Sequence, residues 1–516
     1  MTVFEQTLAD LETAIGLARG GAAEAEAIGH AAAGRFPLDV TVLHKAGVIQ
    51  QLLGRNDSAL GYFHRALAVL PGFAYSELEL GTTYEQGGQK QKALDWLLKA
   101  AQAPETAVLA TLRAARVARE LGDHACALAI LQRACAAAPD ALELNASLAQ
   151  SLIYHDRRRD AAAAYARVIG QEQASEQDHI AYLYLLTELG DYADVAGHVA
   201  RLRPAAGSAL ASHAAVLAAH ARMTAGHDRA AVLAAASARE GSGAWLPVPA
   251  VIARVQAAIK ARRAFSLVRF GDGEARFLAA MDGTLNPALT QADRLAAGES
   301  IWGNWFGTRL ATVAPAALDA LHAATLGAMA TASILGVPTS ARLAIDRLHF
   351  GYLATLERQL ACIPGRVRDR RFTDAGIALH LHAGSPFYAR LLRGLDSLGV
   401  ISPHPGLAAR LGRLHGVGAT AEYVVPGETR LPPATRGAPA AHFPDVYRAV
   451  MTGLIVPRPG AVFLVAAGLL GKVYCARIKS LGGIAIDIGS VADAWMGFDT
   501  RPGQFPRLET WRLPEG

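Results

Sequence analysis

The chain has 516 residues, more than one compact core usually holds, so two or three domains are expected. Hydrophobic residues make up 52% and charged residues 18%, which excludes a disordered chain and favours a helix-rich, soluble protein. A net charge of +5 without a concentrated basic stripe speaks against a nucleic-acid partner and leaves room for an anionic small substrate. Cys126, Cys135, Cys362 and Cys475 are scattered with no CxxC pair, which excludes a disulfide scaffold and points to a reduced, cytoplasmic setting. The N-terminus carries acids early and has no cleavable apolar segment. The longest apolar run, near Ala461 to Leu470, is about half the ~20 residues of a membrane span, so no span is expected.

In chain order, the first half repeats itself. Gly20, Gly54, Gly88, Gly122 and Gly190 fall on a 34-residue grid, with Asp156 at the missing point. Ala25, Ala59, Ala93, Ala127 and Ala161 follow the same grid, as do Ala32, Ala66, Ala100 and Ala134. Pro37, Pro71 and Pro139 close repeats, with Pro104 one place early. Glycine ends a first helix and permits a tight turn, small alanines let two helices approach, and proline stops the second helix. This spacing is the signature of tetratricopeptide helix pairs, and LGTTYEQGGQKQKALDWLLKAAQAP (80–104) resembles such a repeat directly. The reading gives an α-solenoid over residues 5–240, as six repeats and a degraded seventh near Gly226. Its concave face suits a protein or glycan partner, or serves as a spacer or dimerisation module.

GSGAWLPVPA, residues 241–250, reads as a linker from its glycine, serine and proline content. Beyond it, over 251–510, strands alternate with helices. A helix is expected over 251–262, then a strand over Ser266 to Phe270 and a helix from Ala275. Further strands are expected at 332–338, 376–383, 398–406, 421–428, 460–468 and 482–490, with helices at 444–455 and 469–482. This pattern predicts an α/β domain with a mostly parallel, Rossmann-like sheet, and ligands of such sheets sit at the carboxyl ends of the strands.

Several of those ends are rich in glycine or polar groups. Gly271, Asp272, Gly273 and Glu274 stand where a strand hands over to a helix. The two carboxylates suit a divalent cation, Mg2+ or Mn2+, and the glycines let the backbone approach a ligand closely. The other reading of the same residues is a tight turn whose acids cap the following helix. Arg269 is placed to face a phosphate. AAGLLGK (466–472) opens a helix after an apolar strand, so backbone N–H groups near Gly468 and Gly471, with Lys472, suit a diphosphate. It is not a Walker A loop, since alanine stands at 466 and Val473 follows the lysine. The alternative is a close-packed turn with a solvated lysine. His380 and His382 alternate on an expected strand, but with no partner Cys or HExxH motif they make a poor zinc site. Asp374 and Asp487 are single acids near strands, each able to act as a base or to contact a ribose, or to be structural.

VRFGDGE (268–274), ILGVP (334–338), FTDA (372–375) and FLVAAGLLGKVYCARIKSLGGIAIDIGS (463–490) together resemble the GT-D family of bacterial glycosyltransferases, over roughly residues 250 to 500. The resemblance implies a nucleotide diphosphate sugar donor, a hydroxyl acceptor on protein or glycan, and an acidic D-x-E element, here Asp272 and Glu274, working with a divalent metal. Lys472 would then neutralise charge on the departing diphosphate, and Asp374 is the candidate base. FTDA is followed by GIALHLHAGSPFY, where an Arg-Pro-Tyr-like continuation would be expected. The alternatives are a scaffold whose α/β half binds a nucleotide without turnover, and a metal-dependent phosphohydrolase.

Overall fold

The computed structural model describes residues 2–362, 371–383, 386–436, 441–501, 503–505 and 507–514. It divides into two compact units, Met1–Leu185 and Leu186–Gly516.

The first unit is a run of helix pairs: α1 (Val3–Arg19) with α2 (Glu24–Arg35), α3 (Val40–Leu52) with α4 (Asn56–Val69), α5 (Ala74–Gln86) with α6 (Lys90–Ala100), α7 (Ala107–Glu120) with α8 (His124–Ala137), and α9 (Leu142–Tyr154) with α10 (Arg158–Ile169). The grid has a backbone cause. Gly54, Gly88 and Gly122 take φ of 73°, 74° and 82°, and Asp156 takes φ 58° at the point where glycine is missing. Aspartate is one of the few side chains that tolerate this left-handed region. In the first pair the left-handed residue is Gly21, one place after the grid. The grid alanines Ala25, Ala59, Ala93, Ala127 and Ala161 are fully buried where the helices cross, while Ala134 is only partly covered. Gly122→Ala is expected to cost about 1–2 kcal/mol through left-handed strain alone. It would be read as a lower melting temperature by circular dichroism, and an unchanged melt would remove the turn requirement.

The second unit opens with helices. α11 (Glu176–Leu189) straddles the division, followed by α12 (Tyr192–Arg201), α13 (Ala209–Ala225), α14 (Arg229–Glu240) and α15 (Val248–Lys260). The α/β part then runs β1 (Phe265–Arg269), α16 (Asp272–Met281), α17 (Gln291–Phe306), α18 (Pro315–Thr331), β2 (Ile334–Val337), α19 (Ser340–Ile345), α20 (Phe350–Cys362), β3 (Arg371–Asp374), α21 (Ile377–Ala383), α22 (Phe387–Leu392), β4 (Ser397–Ser402), α23 (Leu407–His415), β5 (Ala419–Val424), α24 (Tyr447–Gly453), β6 (Val462–Val465), α25 (Gly468–Ser480), β7 (Ile484–Asp487) and α26 (Val491–Trp495). The seven strands form one sheet in the order β3-β2-β1-β7-β6-β4-β5, every pair parallel.

The central strands are buried on both faces, so their side chains feed two cores in alternation. Phe265 and Leu267 of β1 join a core with α15, α21, α22 and α23. Val268 and Phe270 turn the other way, into a core with α16, α17, α20 and α25. Val462 and Leu464 of β6 divide from Phe463 and Val465 in the same manner.

Three expectations are corrected. The degraded seventh repeat does not stay with the solenoid. α13 packs on α17 and α20, and α14 on α19 and α20. Ala236 of α14 is sealed among Leu343, Phe350, Leu353 and Ala354, and Arg239 pairs with both carboxylate oxygens of buried Glu357 at 2.6 Å. Second, the stretch 241–250 is no free linker. Leu246 N–H donates to Phe372 O at 2.7 Å and Phe372 N–H to Ala244 O at 2.9 Å, which extends the sheet beyond β3. Third, residues 377–383 are helix α21 and not a strand, so His380 and His382 share no strand face. Gly384 and Ser385, part of the polar strand end expected there, lie outside the described residues. Among the described residues no helix is long and apolar enough to cross a membrane.

Candidate functional site

A cavity of about 280 Å3 opens at the carboxyl ends of the strands. Residues that follow β1, β3, β4, β5, β6 and β7 line it, and Arg342 of α19 reaches it from beyond β2. A parallel sheet aims the amino ends of its following helices into this crevice, which is why ligands collect there.

The GDGE stretch is helical earlier than expected: α16 begins at Asp272, not Ala275. Glu274 then caps its own helix, accepting from Gly271 N–H at 2.9 Å, and its other oxygen lies 3.2 Å from Lys472 Nζ. Gly271 has extended backbone. Gly273 is small because Trp305 lies on it; a Cβ there would stand 2.6 Å from Trp305 Cζ2. The expected close backbone approach is thus to a tryptophan of the protein itself.

Asp272 lines the cavity with Arg342 Nη2 at 3.3 Å and His349 Nε2 at 3.8 Å. Burial alone would raise its pKa, but His349, Arg276 and Arg342 outweigh this and hold the carboxyl below the usual aspartate range. Asp272 and Glu274 do not fit a cation shared between them. Residues two apart on a helix point to different sides, and both Glu274 oxygens are already engaged. Among the described residues no cluster of three His, Cys, Asp or Glu is placed to hold a metal.

Lys472 is buried, not solvated and not free for a phosphate. Its Nζ lies 2.6 Å from Asp487 Oδ2 and 3.2 Å from Glu274 Oε1. Burial would push its pKa down, and Asp487 and Glu274 outweigh that and hold it above the usual lysine value. Asp487 lies within the buried end of β7. Burial would raise its pKa; Lys472 and Arg269 reverse this and hold it below the usual range. Arg269 faces inward as well: its backbone N–H and Nη2 approach the Asp487 carboxylate at 3.2 and 3.4 Å, and Nη1 donates to Ala375 O at 3.1 Å. Glu274, Lys472, Asp487 and Arg269 therefore form one buried, charge-balanced network that fastens β1, α16, α25 and β7 together. Gly471 belongs to the same packing, with Val465 close against it.

Asp374, the candidate base, stands at the end of β3 outside the cavity lining. It accepts from Gly376 N–H at 2.8 Å and pairs with His380 Nε2 at 3.1 Å. Gly468 does line the cavity, at φ 51°, as the first residue of α25. The remaining wall comes from residues that sequence reasoning missed. Trp305 and Phe306 come from α17. Glu428 and Arg430 follow β5, and Asp493 and Arg501 lie near the C-terminus. Arg501 pairs with Glu428, and Asp493 is held by His404 Nε2 and Thr500 Oγ1, each at 2.7 Å. Arg430 bonds only to the Thr500 carbonyl among the described residues, so it brings a cation to the rim with no carboxylate to cancel it. No strand-end motif marks these positions. Only the fold gathers them.

No family model matches the chain. Over 113 residues it is 33% identical to Anaphase-promoting complex subunit 3 of Schizosaccharomyces pombe, a match covering 22% of this chain and 17% of that protein. Among solved structures it is similar to Pseudomonas aeruginosa pilF, at 17% identity over 38% of this chain and 90% of that one, with a TM-score of 0.32. It is also similar to YrrB, described as a TPR protein with an unusual peptide-binding site, at 16% identity over 33% and 89% of the two chains, with a TM-score of 0.28. A thermophilic TPR protein of Thermus thermophilus gives 23% identity over 35% and 98%, with a TM-score of 0.27. The paired helices, the left-handed turn residues and the buried grid alanines of the chain itself make its N-terminal unit a tetratricopeptide-type solenoid.

Proposed function

We propose that the second unit is a glycosyltransferase that moves a sugar from a nucleoside diphosphate sugar to a hydroxyl acceptor, and that the solenoid holds the protein or glycan acceptor or a partner. The observation that carries this reading is the cavity at the strand ends. It joins Asp272 of the D-x-E element to cationic groups, Arg342, Arg430 and Arg501, and to the amino end of α25. In the reaction the bond from the anomeric carbon to the diphosphate breaks, with its electron pair leaving on the diphosphate. The acceptor oxygen bonds to that carbon and gives up its proton. Arg430 and the α25 amino end oppose the charge on the leaving group. Asp272 takes the acceptor proton, because it is the lining carboxylate kept ionised without being closed into a cap or a short ion pair. Asp374 is not placed for that task. No step is assigned to a divalent ion, given how Glu274 is engaged.

A thermal-shift screen of sugar nucleotides, with and without Mn2+, tests the binding half, since a ligand that binds only the native state raises its melting temperature. A shift that requires Mn2+ would restore a cation to the site. Asp272→Asn is expected to keep donor binding and to lower transfer by about 10²- to 10⁴-fold. Transfer at the wild-type rate would remove Asp272 from the chemistry. The second reading is a nucleotide-binding scaffold without turnover. It is favoured by the closure of Glu274, Lys472 and Arg269 upon one another. Product analysis separates the two: nucleoside diphosphate with glycosylated acceptor in the first case, no product in the second, and inorganic phosphate for a phosphohydrolase.

A further inference from the structure

Two long helices present their amino ends to the cavity, and they differ. α16 neutralises its own: Asp272 and Glu274 sit in its first turn, and Glu274 caps Gly271 N–H. α25 has no acid in its first turn and no side-chain cap, and Ala467 before it offers no polar side chain. Its first N–H groups are left for a partner from outside the helix.

Trp305 supplies the second observation. It is only 8% exposed, yet it lines the cavity. Its ring touches both helix starts, its benzo carbons near Gly273 and its pyrrole edge near Gly468. A Cβ built on Gly468 would stand 3.4 Å from Trp305 Nε1, so the indole N–H is beside the first residue of α25. Of the other buried indoles of this unit, two donate to protein acceptors, and Trp511, which makes no such bond among the described residues, lies outside the cavity lining. Trp302 Nε1–H donates to Thr308 Oγ1 at 3.1 Å and Trp495 Nε1–H to His382 Nδ1 at 3.2 Å. Trp305 Nε1–H makes no hydrogen bond among the described residues, and its residue is part of the cavity lining. An indole N–H with no protein acceptor is free to donate to a ligand oxygen that enters the cavity.

We propose that Trp305 Nε1–H and the first N–H groups of α25 together bind a phosphate oxygen of the ligand, so that Trp305 is the residue selecting a diphosphate-bearing ligand over its bare nucleoside. This rests on the reading of the cavity as a donor site. It moves the phosphate-recognition role from Lys472, which is spent on Glu274 and Asp487, to an indole carried by α17. Arg430 at the rim supplies the long-range attraction.

The test uses the full chain with inorganic pyrophosphate, uridine diphosphate and uridine as probes, each with and without Mn2+. Titration calorimetry is expected to show pyrophosphate and the diphosphate bound about tenfold or more weakly by Trp305→Phe than by wild type, which is the usual loss for a hydrogen bond to a charged group. Weak uridine binding should be unchanged. The phenylalanine ring preserves the contact with Gly273 and Gly468 while deleting the donor. Should that variant melt early, 15N indole spectra of the wild-type chain give the same answer. One of its six tryptophan Nε1–H resonances, assigned to Trp305 through single substitutions of the others, moves downfield on adding pyrophosphate. Diphosphate binding with that resonance unmoved, or with equal affinity in Trp305→Phe, overturns the role of Trp305 and leaves the donor-site reading standing. Wild-type protein that binds neither probe overturns both.

Discussion

Lys472→Met is expected to destabilise the second unit by about 3–5 kcal/mol, far more than a lost phosphate contact would explain. Methionine has nearly the length of lysine and fits the same space, so the effect isolates the charge. Without Lys472, buried Asp487 keeps Arg269, while buried Glu274 keeps the Gly271 N–H and, among the described residues, no ion-pair partner. Tryptophan fluorescence under urea is a suitable measurement, because Trp245, Trp302, Trp305, Trp495 and Trp511 all lie in this unit and only Trp96 lies elsewhere. The pH dependence has a definite sign. Asp487 is held below its usual pKa, so its contribution is present above the usual aspartate value and is lost as pH falls through its folded value. Lys472 is held above its usual pKa, so its contribution is present below the usual lysine value and is lost as pH rises through its folded value. The gap between wild type and Lys472→Met should be widest across neutral pH and narrow below about pH 4. A variant as stable as wild type at pH 7 would show that the network adds nothing net, and Lys472 would return to consideration as a ligand contact.

The second large effect concerns where the α/β unit begins. A chain starting at Gly241, the boundary suggested by composition, is expected to aggregate or to melt without a cooperative transition. One starting at Leu186 should melt cooperatively. The shorter chain lacks α13 and α14. It exposes the pocket that Ala236 fills among Leu343, Phe350, Leu353 and Ala354, and it strips buried Glu357 of Arg239. It also loses Arg222 from Asp293, and His220 from beneath α20. His220 has its pKa pushed down to about 3 by burial, so it is neutral and its Nε2 accepts from Gly351 N–H at 3.1 Å. Removing one partner of a buried ion pair typically costs about 3–5 kcal/mol, and the opened core adds to that. Scanning calorimetry of the two chains decides the matter. Equal, cooperative melting would mean that α13 and α14 rest on the α/β unit without supporting it.

The sequence by itself determined the features that repeat or that are local. Left-handed turns demand glycine or a tolerant aspartate every 34 residues, and crossing helices demand alanine, so the solenoid is written at fixed intervals. Apolar runs of strand length between helical patterns marked six of the seven strands to within a few residues. They failed at 376–383, which holds helix α21, and left β3 just before it unmarked: so short a run carries too few periods to separate two from 3.6. Only the tertiary structure decided which charges are free. Glu274, Lys472 and Asp487 read as ligands in the sequence because strand ends are where ligands sit. Packing brings Lys472 within 3.2 Å of both Glu274, from a distant part of the chain, and Asp487, and once buried these charges must satisfy each other. The same packing carries Trp305, Arg430 and Arg501 to the cavity from segments with no motif, and draws α13 and α14 away from the repeat. Short-range rules fix turns and periods; the partner of a buried charge is fixed by whatever the fold places beside it.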